Sequence, residues 1–132
     1  MHRSRLCGVV IDCDVEDVDA AADFWGRALG RAVEPPTAES GNYRELRTRP
    51  DDPVLLVQKV SHPSRVHLDI ESDDVDAEAA RLEAVGAKRL EKIKTWWVMQ
   101  APTGQRFCVI RVQTQDFAER ANSWGDPAGA AR

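Results

Sequence analysis

One pattern occurs twice in this chain, and it constrains the fold more than any other feature. In VHLDIESDDVDAEAARLEAVG, residues 66–86, the first five residues alternate, so Val66, Leu68 and Ile70 share one face and His67, Asp69 and Glu71 the other. Val75, Ala79, Leu82 and Val85 then recur three or four apart, the spacing of an amphipathic helix. Asp74 is placed to cap that helix, and Gly86 to end it. The earlier stretch superposes when Val9 is laid on Val66. Asp12 then falls on Asp69, Asp17 on Asp74, Val18 on Val75, Ala22 on Ala79, and Gly30 closes its helix close to where Gly86 closes the other. A strand followed by a helix, repeated with the same caps, predicts two copies of one supersecondary unit.

The remaining segments complete both units. Leu6–Asp14 reads as a strand, with Val9, Ile11 and Cys13 on one face and Val10, Asp12 and Asp14 on the other. A helix from Asp17 to Leu29 presents Val18, Ala21, Ala22, Trp25 and Leu29 inward. Short strands are expected at 31–34, 43–47 and 54–60, and SHPS (61–64) links the halves. In the second half, strands are expected at 88–94, 95–100 and 106–112, with Pro102-Thr103-Gly104 as a hairpin turn. Beyond Gln113 a helical turn is expected around 117–122, and a frayed end after Trp124. His2 is read as part of a disordered end, and the helix acids Glu78 and Glu83 as solvated surface. The expected fold is α+β: two tandem βαβββ modules forming a cupped mixed sheet with helices on the outer face. The 132 residues suit a single domain, with module one at about 5–60, module two at about 65–113 and a tail at 114–132.

Composition excludes several functions. A net charge of −4 gives no bulk attraction to nucleic acid or to an anionic membrane surface. No apolar run approaches a membrane span and the first residues lack a signal-peptide core, so a cytoplasmic protein is expected. Cys7, Cys13 and Cys108 form no CxxC pair, which argues against a disulfide framework or a zinc ribbon. No phosphate-cradling glycine loop and no HExxH helix are present.

The pieces DVDAAADFWGRALG, RVHLDIESDDVDAEAARLEAVGA and WVMQAPTGQRFCV resemble the vicinal oxygen chelate superfamily (glyoxalase I, bleomycin- and fosfomycin-resistance proteins, extradiol dioxygenases) over about residues 5–113. The nearest branch by this resemblance is the glyoxalase-like domains of unassigned function. The last piece is similar to the family's W-x-x-x-DP-x-G-N-x-F hairpin, with Ala101 in place of Asp and Gln105 in place of Asn. The resemblance implies a divalent metal held in the cup by a His and a closing-strand Glu from each module, acting as a Lewis acid. Carried over by position, one His falls on His67, but the other falls on Val10, the second-module Glu on Cys108, and the first closing strand offers Gln58. A catalytic metal site wants three good protein ligands. No cofactor is therefore expected, with a divalent metal on His67 with Asp12, Asp69 or Cys108 as the lesser alternative.

Two functional readings remain. In the first, the protein binds a small molecule in a metal-free cup lined by Asp12, Gln58, His67, Trp97 and Cys108, as bleomycin-resistance proteins do. In the second, it is a lyase, isomerase or dioxygenase-type enzyme with a non-standard metal set, or with His67 and Asp12 as an acid–base pair. Trp97 is assigned to the cup by the resemblance alone. A homodimer is likewise what the resemblance implies.

Overall fold

The structure is a computed structural model and describes residues 1–125. Its elements run β1 (His2–Asp14), α1 (Val18–Leu29), β2 (Tyr43–Leu46), β3 (Val54–Val60), β4 (Arg65–Ser72), α2 (Val75–Ala84), β5 (Lys88–Ile93), β6 (Trp96–Gln100), β7 (Arg106–Arg111), α3 (Phe117–Arg120) and β8 (Asn122–Trp124). They form an α+β fold of two βαβββ modules, and the chain separates into two compact units. One is Gly8–His67. The other joins residues 1–7 to the chain from Leu68 onward. The divisions fall inside β1 and β4, so β1 supplies strand to both units.

In the Gly8–His67 unit, β1 and β3 pair in parallel with Asp12 opposite Gln58, and β2 pairs antiparallel to β3 with Tyr43 opposite Gln58. The strand expected at 31–34 contracts to one bridge, Val33 to Leu46. Asp17 caps α1 by accepting from Asp19 N (3.0 Å) and Ala20 N (3.2 Å), and Gly30 ends it at φ 69°. Ile11, Cys13, Val18, Ala22, Leu46 and Val57 make the core, with Trp25 packed against it. Leu29 corrects the sequence expectation, being 46% exposed. Gly26 takes the inward place instead, because a Cβ there would stand 2.7 Å from Arg31 O. Gly8 answers a similar constraint, since its Cβ would meet Val54 O at 2.6 Å across the β1–β3 pair.

The second unit repeats the plan. β4 and β7 are parallel, with Asp69 opposite Cys108, and β7, β6 and β5 follow antiparallel. Asp74 caps α2 through Ala77 N at 3.0 Å. Ala79, Met99 and Val109 form the core, flanked by Val75, Leu82 and Trp97. Val85, expected on the inner stripe, is the C-cap and 67% exposed. The start of β1 is tied in by β8, which pairs antiparallel with it from His2–Trp124 to Ser4–Asn122.

That pairing overturns two sequence expectations. His2 is buried, with Nε2 2.7 Å from Glu78 Oε1, and Glu78 is fully buried rather than solvated. Glu78 also accepts from Ser4 Oγ (2.7 Å) and from both sides of the Arg81 guanidinium (2.8 Å each). Arg81 lies 3.7 Å from the Trp124 ring centroid, and Trp124 Nε1 donates to Ser4 Oγ at 2.7 Å. Helical periodicity placed Glu78 on a polar face, but a strand end pairing from the far end of the sequence covers that face. The frayed end expected after Trp124 falls, from residue 126 on, outside the described residues.

Candidate functional site

Strand alternation in the Gly8–His67 unit sends Ile11, Cys13 and Val57 toward α1 and Val10, Asp12 and Gln58 to the opposite sheet face. Asp12 is 2% exposed, and its Oδ2 accepts from His67 Nδ1 at 2.7 Å. A carboxylate on Nδ1 holds the imidazole proton there and makes Nε2 the acceptor nitrogen. Arg65 Nε stands 3.9 Å from the same Oδ2, a looser approach than the imidazole's. The other oxygen, Asp12 Oδ1, is buried and has no hydrogen-bond partner. Burying an unsatisfied carboxylate oxygen costs free energy that a purely structural residue has no reason to incur. Gln58 lies beside Asp12 in register and is partly buried.

Asp12, Gln58 and His67 thus belong to one unit, whereas the expected modules divide them, with Asp12 and Gln58 in module one and His67 in module two. Arg65 was missed. The signal for it was present, because Arg65 and His67 share strand parity and basic residues seek a buried acid.

The other expected site residues belong to the second unit. Cys108 is opposite Asp69 on the β4–β7 pair and opposite Val98 on the β6–β7 pair. Trp97 corrects the expectation that it lines the polar face. It is in register with Val109, packs in the core under α2, and its Nε1 donates to Asp76 Oδ1 at 2.9 Å. The Arg89 guanidinium lies 4.9 Å from its ring centroid and Lys92 Nζ 5.1 Å. Of two adjacent tryptophans alternation must send one inward, and register with Val109 makes it Trp97.

The superfamily's metal set does not fit these residues. Val10, at the position where the first-module His would stand, is aliphatic and 1% exposed. The thiols of Cys7 and Cys13 are poor nucleophiles. Burial, reinforced by Glu71 and Asp69, pushes Cys7 up to about 12, and burial raises Cys13 as well.

A strand, a capped helix and returning antiparallel strands, built twice, define the vicinal oxygen chelate class of fold. Solved structures share it. A variant of methylmalonyl-CoA epimerase from Streptomyces coelicolor, in complex with 2-nitronate-propionyl-CoA, aligns at TM-score 0.53 and 18% identity over 83% of this chain and 96% of that one. A variant of homoprotocatechuate 2,3-dioxygenase from B. fuscum aligns at TM-score 0.53 and 17% identity over 83% of this chain but 32% of the enzyme. A hypothetical protein from Bacillus halodurans C-125 aligns at TM-score 0.53 and 10% identity over 85% and 98%. No curated protein sequence matches significantly. The chain belongs to the glyoxalase-like domain family, whose model matches residues 8–110. At such identities the solved neighbours establish the fold and no more.

Proposed function

We propose that this protein binds a small molecule, without a metal, on the sheet face that carries Asp12, Gln58 and His67. The observation that supports this reading is the 2.7 Å hydrogen bond from His67 Nδ1 to a buried carboxylate whose second oxygen is unsatisfied. Asp12 orients the imidazole and would stabilise its positive charge if Nε2 took a proton from a bound ligand. A ligand with a hydrogen-bond donor, such as a hydroxyl, an amide or an acidic C–H, is the class that complements such a group. Self-association into a homodimer belongs to the same proposal and is checked by sedimentation equilibrium.

A second reading is a divalent-metal-dependent lyase, isomerase or dioxygenase-type enzyme with a non-standard ligand set that includes His67. One observation favours it: a carboxylate behind a histidine is the usual support for a metal-bound imidazole.

The test is to screen metal-stripped protein against a small-molecule library by thermal shift, with His67→Ala beside it. It is paired with titrations of Ni, Mn, Fe(II) and Zn. Hits that need His67 and no metal support the binding reading. Metal affinity tighter than about micromolar that disappears in His67→Ala, roughly 8 kcal/mol of binding free energy, would replace it with the metalloenzyme.

A further inference from the structure

The helix side of the Gly8–His67 unit carries a second feature, which Asp12 borders. Between α1, the end of β1 and the start of β4 lies a cavity of about 450 Å³, within the size range of small-molecule sites. Its walls are apolar, from Ile11, Val15, Phe24, Trp25 and Val66. Phe24 is 61% exposed, Val66 55% and Val15 37%, so large apolar side chains stand in solvent around the concavity. Phe24 and Trp25 meet edge to face, with centroids 5.0 Å apart at 84°, which gives the groove an aromatic wall of defined shape.

Its polar lining is sparse and of one cationic kind. Arg65 is the only lysine or arginine among the lining residues, and its side chain is 42% exposed. Its neighbours are Asp12 at 3.9 Å and His62 Nε2, 3.3 Å from one terminal nitrogen, leaving most of a five-donor fork to other acceptors. Asp12 is itself buried and already bonded to His67, so it neutralises Arg65 only in part.

We infer that this groove is a second ligand site, taking an aromatic carboxylate whose ring lies against Phe24 and Trp25 and whose carboxylate is held by Arg65. A guanidinium pairs bidentately with a carboxylate, and an apolar wall beside a single cation selects a molecule with a flat apolar body and one anionic end. Asp12 and Arg65 border this groove as well as the proposed His67 site, but alternation puts Ile11 and the α1 side of the groove on the sheet face opposite Gln58.

The experiment is calorimetric titration of the full chain with 1-naphthylacetate, and with 2-(1-naphthyl)ethanol as the uncharged control. The acid should bind more tightly than the alcohol. Arg65→Gln should weaken the acid about tenfold while sparing the alcohol, as expected for loss of a charge-assisted pair. Phe24→Ser, at a position exposed enough to keep the fold, should weaken both. Two results would overturn the inference: no binding of the acid at millimolar concentration, or binding indifferent to Arg65→Gln and Phe24→Ser. A concentration-dependent dimer that Phe24→Ser dissolves would also overturn it, by assigning the groove to a second copy of the chain.

Discussion

Two buried carboxylates, one in each unit, are treated in opposite ways. Glu71, fully buried, accepts at one oxygen from Gln113 N (2.7 Å) and Thr114 N (3.1 Å). Its other oxygen takes Arg5 Nε (2.8 Å) and Thr114 Oγ1 (2.6 Å). Burial alone would raise its pKa, but the bonds from Thr114, Arg5 and Gln113 outweigh burial and hold it below the usual carboxylate range. Glu78 behaves the same way, with burial opposed by Arg81, Ser4 and His2. Asp12 has one imidazole, a distant guanidinium and an unsatisfied oxygen. The second unit uses its buried acids to hold the chain together. The first leaves one acid incompletely bonded, beside a histidine.

That contrast can be broken in a graded series, read by urea unfolding. Glu71→Ala should cost the most, about 3–5 kcal/mol, because it removes the buried carboxylate paired with Arg5 Nε and leaves two backbone N–H groups without their acceptor. Asp12→Asn should cost far less, under about 1 kcal/mol, since little of its bonding capacity is used. Its main effect should fall on binding of any His67-dependent ligand, as the imidazole loses its anionic support. Equal losses from the two substitutions would mean that Asp12 is as structural as Glu71.

Acid should separate the acids next. A carboxyl with a depressed folded pKa contributes stability above its unfolded pKa, about 4.3 for Glu, and that contribution is lost as pH falls through the folded value. The urea midpoint should therefore drop below about pH 4, and Glu71→Gln should flatten that drop. A slope unchanged in the variant would show that Glu71 is not the group responsible.

Gly8→Ala sharpens the comparison from the backbone side. The added methyl would meet Val54 O, for an expected loss of about 1–3 kcal/mol from overpacking. Asp17→Ala should cost about 1 kcal/mol for the lost cap on α1. The smallest effect belongs to Asp23→Ala, which breaks an exposed i,i+4 pair with Arg27 and should change the midpoint by under about 0.5 kcal/mol.

Local rules made much of the fold legible. The caps Asp17 and Asp74, the Gly30 stop and the Pro102–Gly104 turn are short-range chemistry, and each stands where its residues indicated. Asp12 likewise lies on the strand face that a two-residue period gives it, opposite Ile11 and Cys13. What escaped was set by distant pairing. His2 and Glu78 look exposed until β8 folds back on β1, and Trp97 looks like a site residue until its register with Val109 is known. Arg65 escaped because its value lies in a neighbour, Asp12, on another strand.

The shared strand β1 has a consequence for how the chain folds. Ser4 and Trp124, 120 positions apart, are bonded to each other, and residues 1–7 belong to the unit that otherwise starts at Leu68. The Gly8–His67 unit is continuous in sequence. Its companion cannot close until nearly all of the described chain has emerged, so a late segment of the described chain secures an early one. Contacts of such long sequence separation slow folding and leave strand edges open meanwhile. During synthesis, the start of β1 is therefore where mispairing with another nascent chain has the longest opportunity.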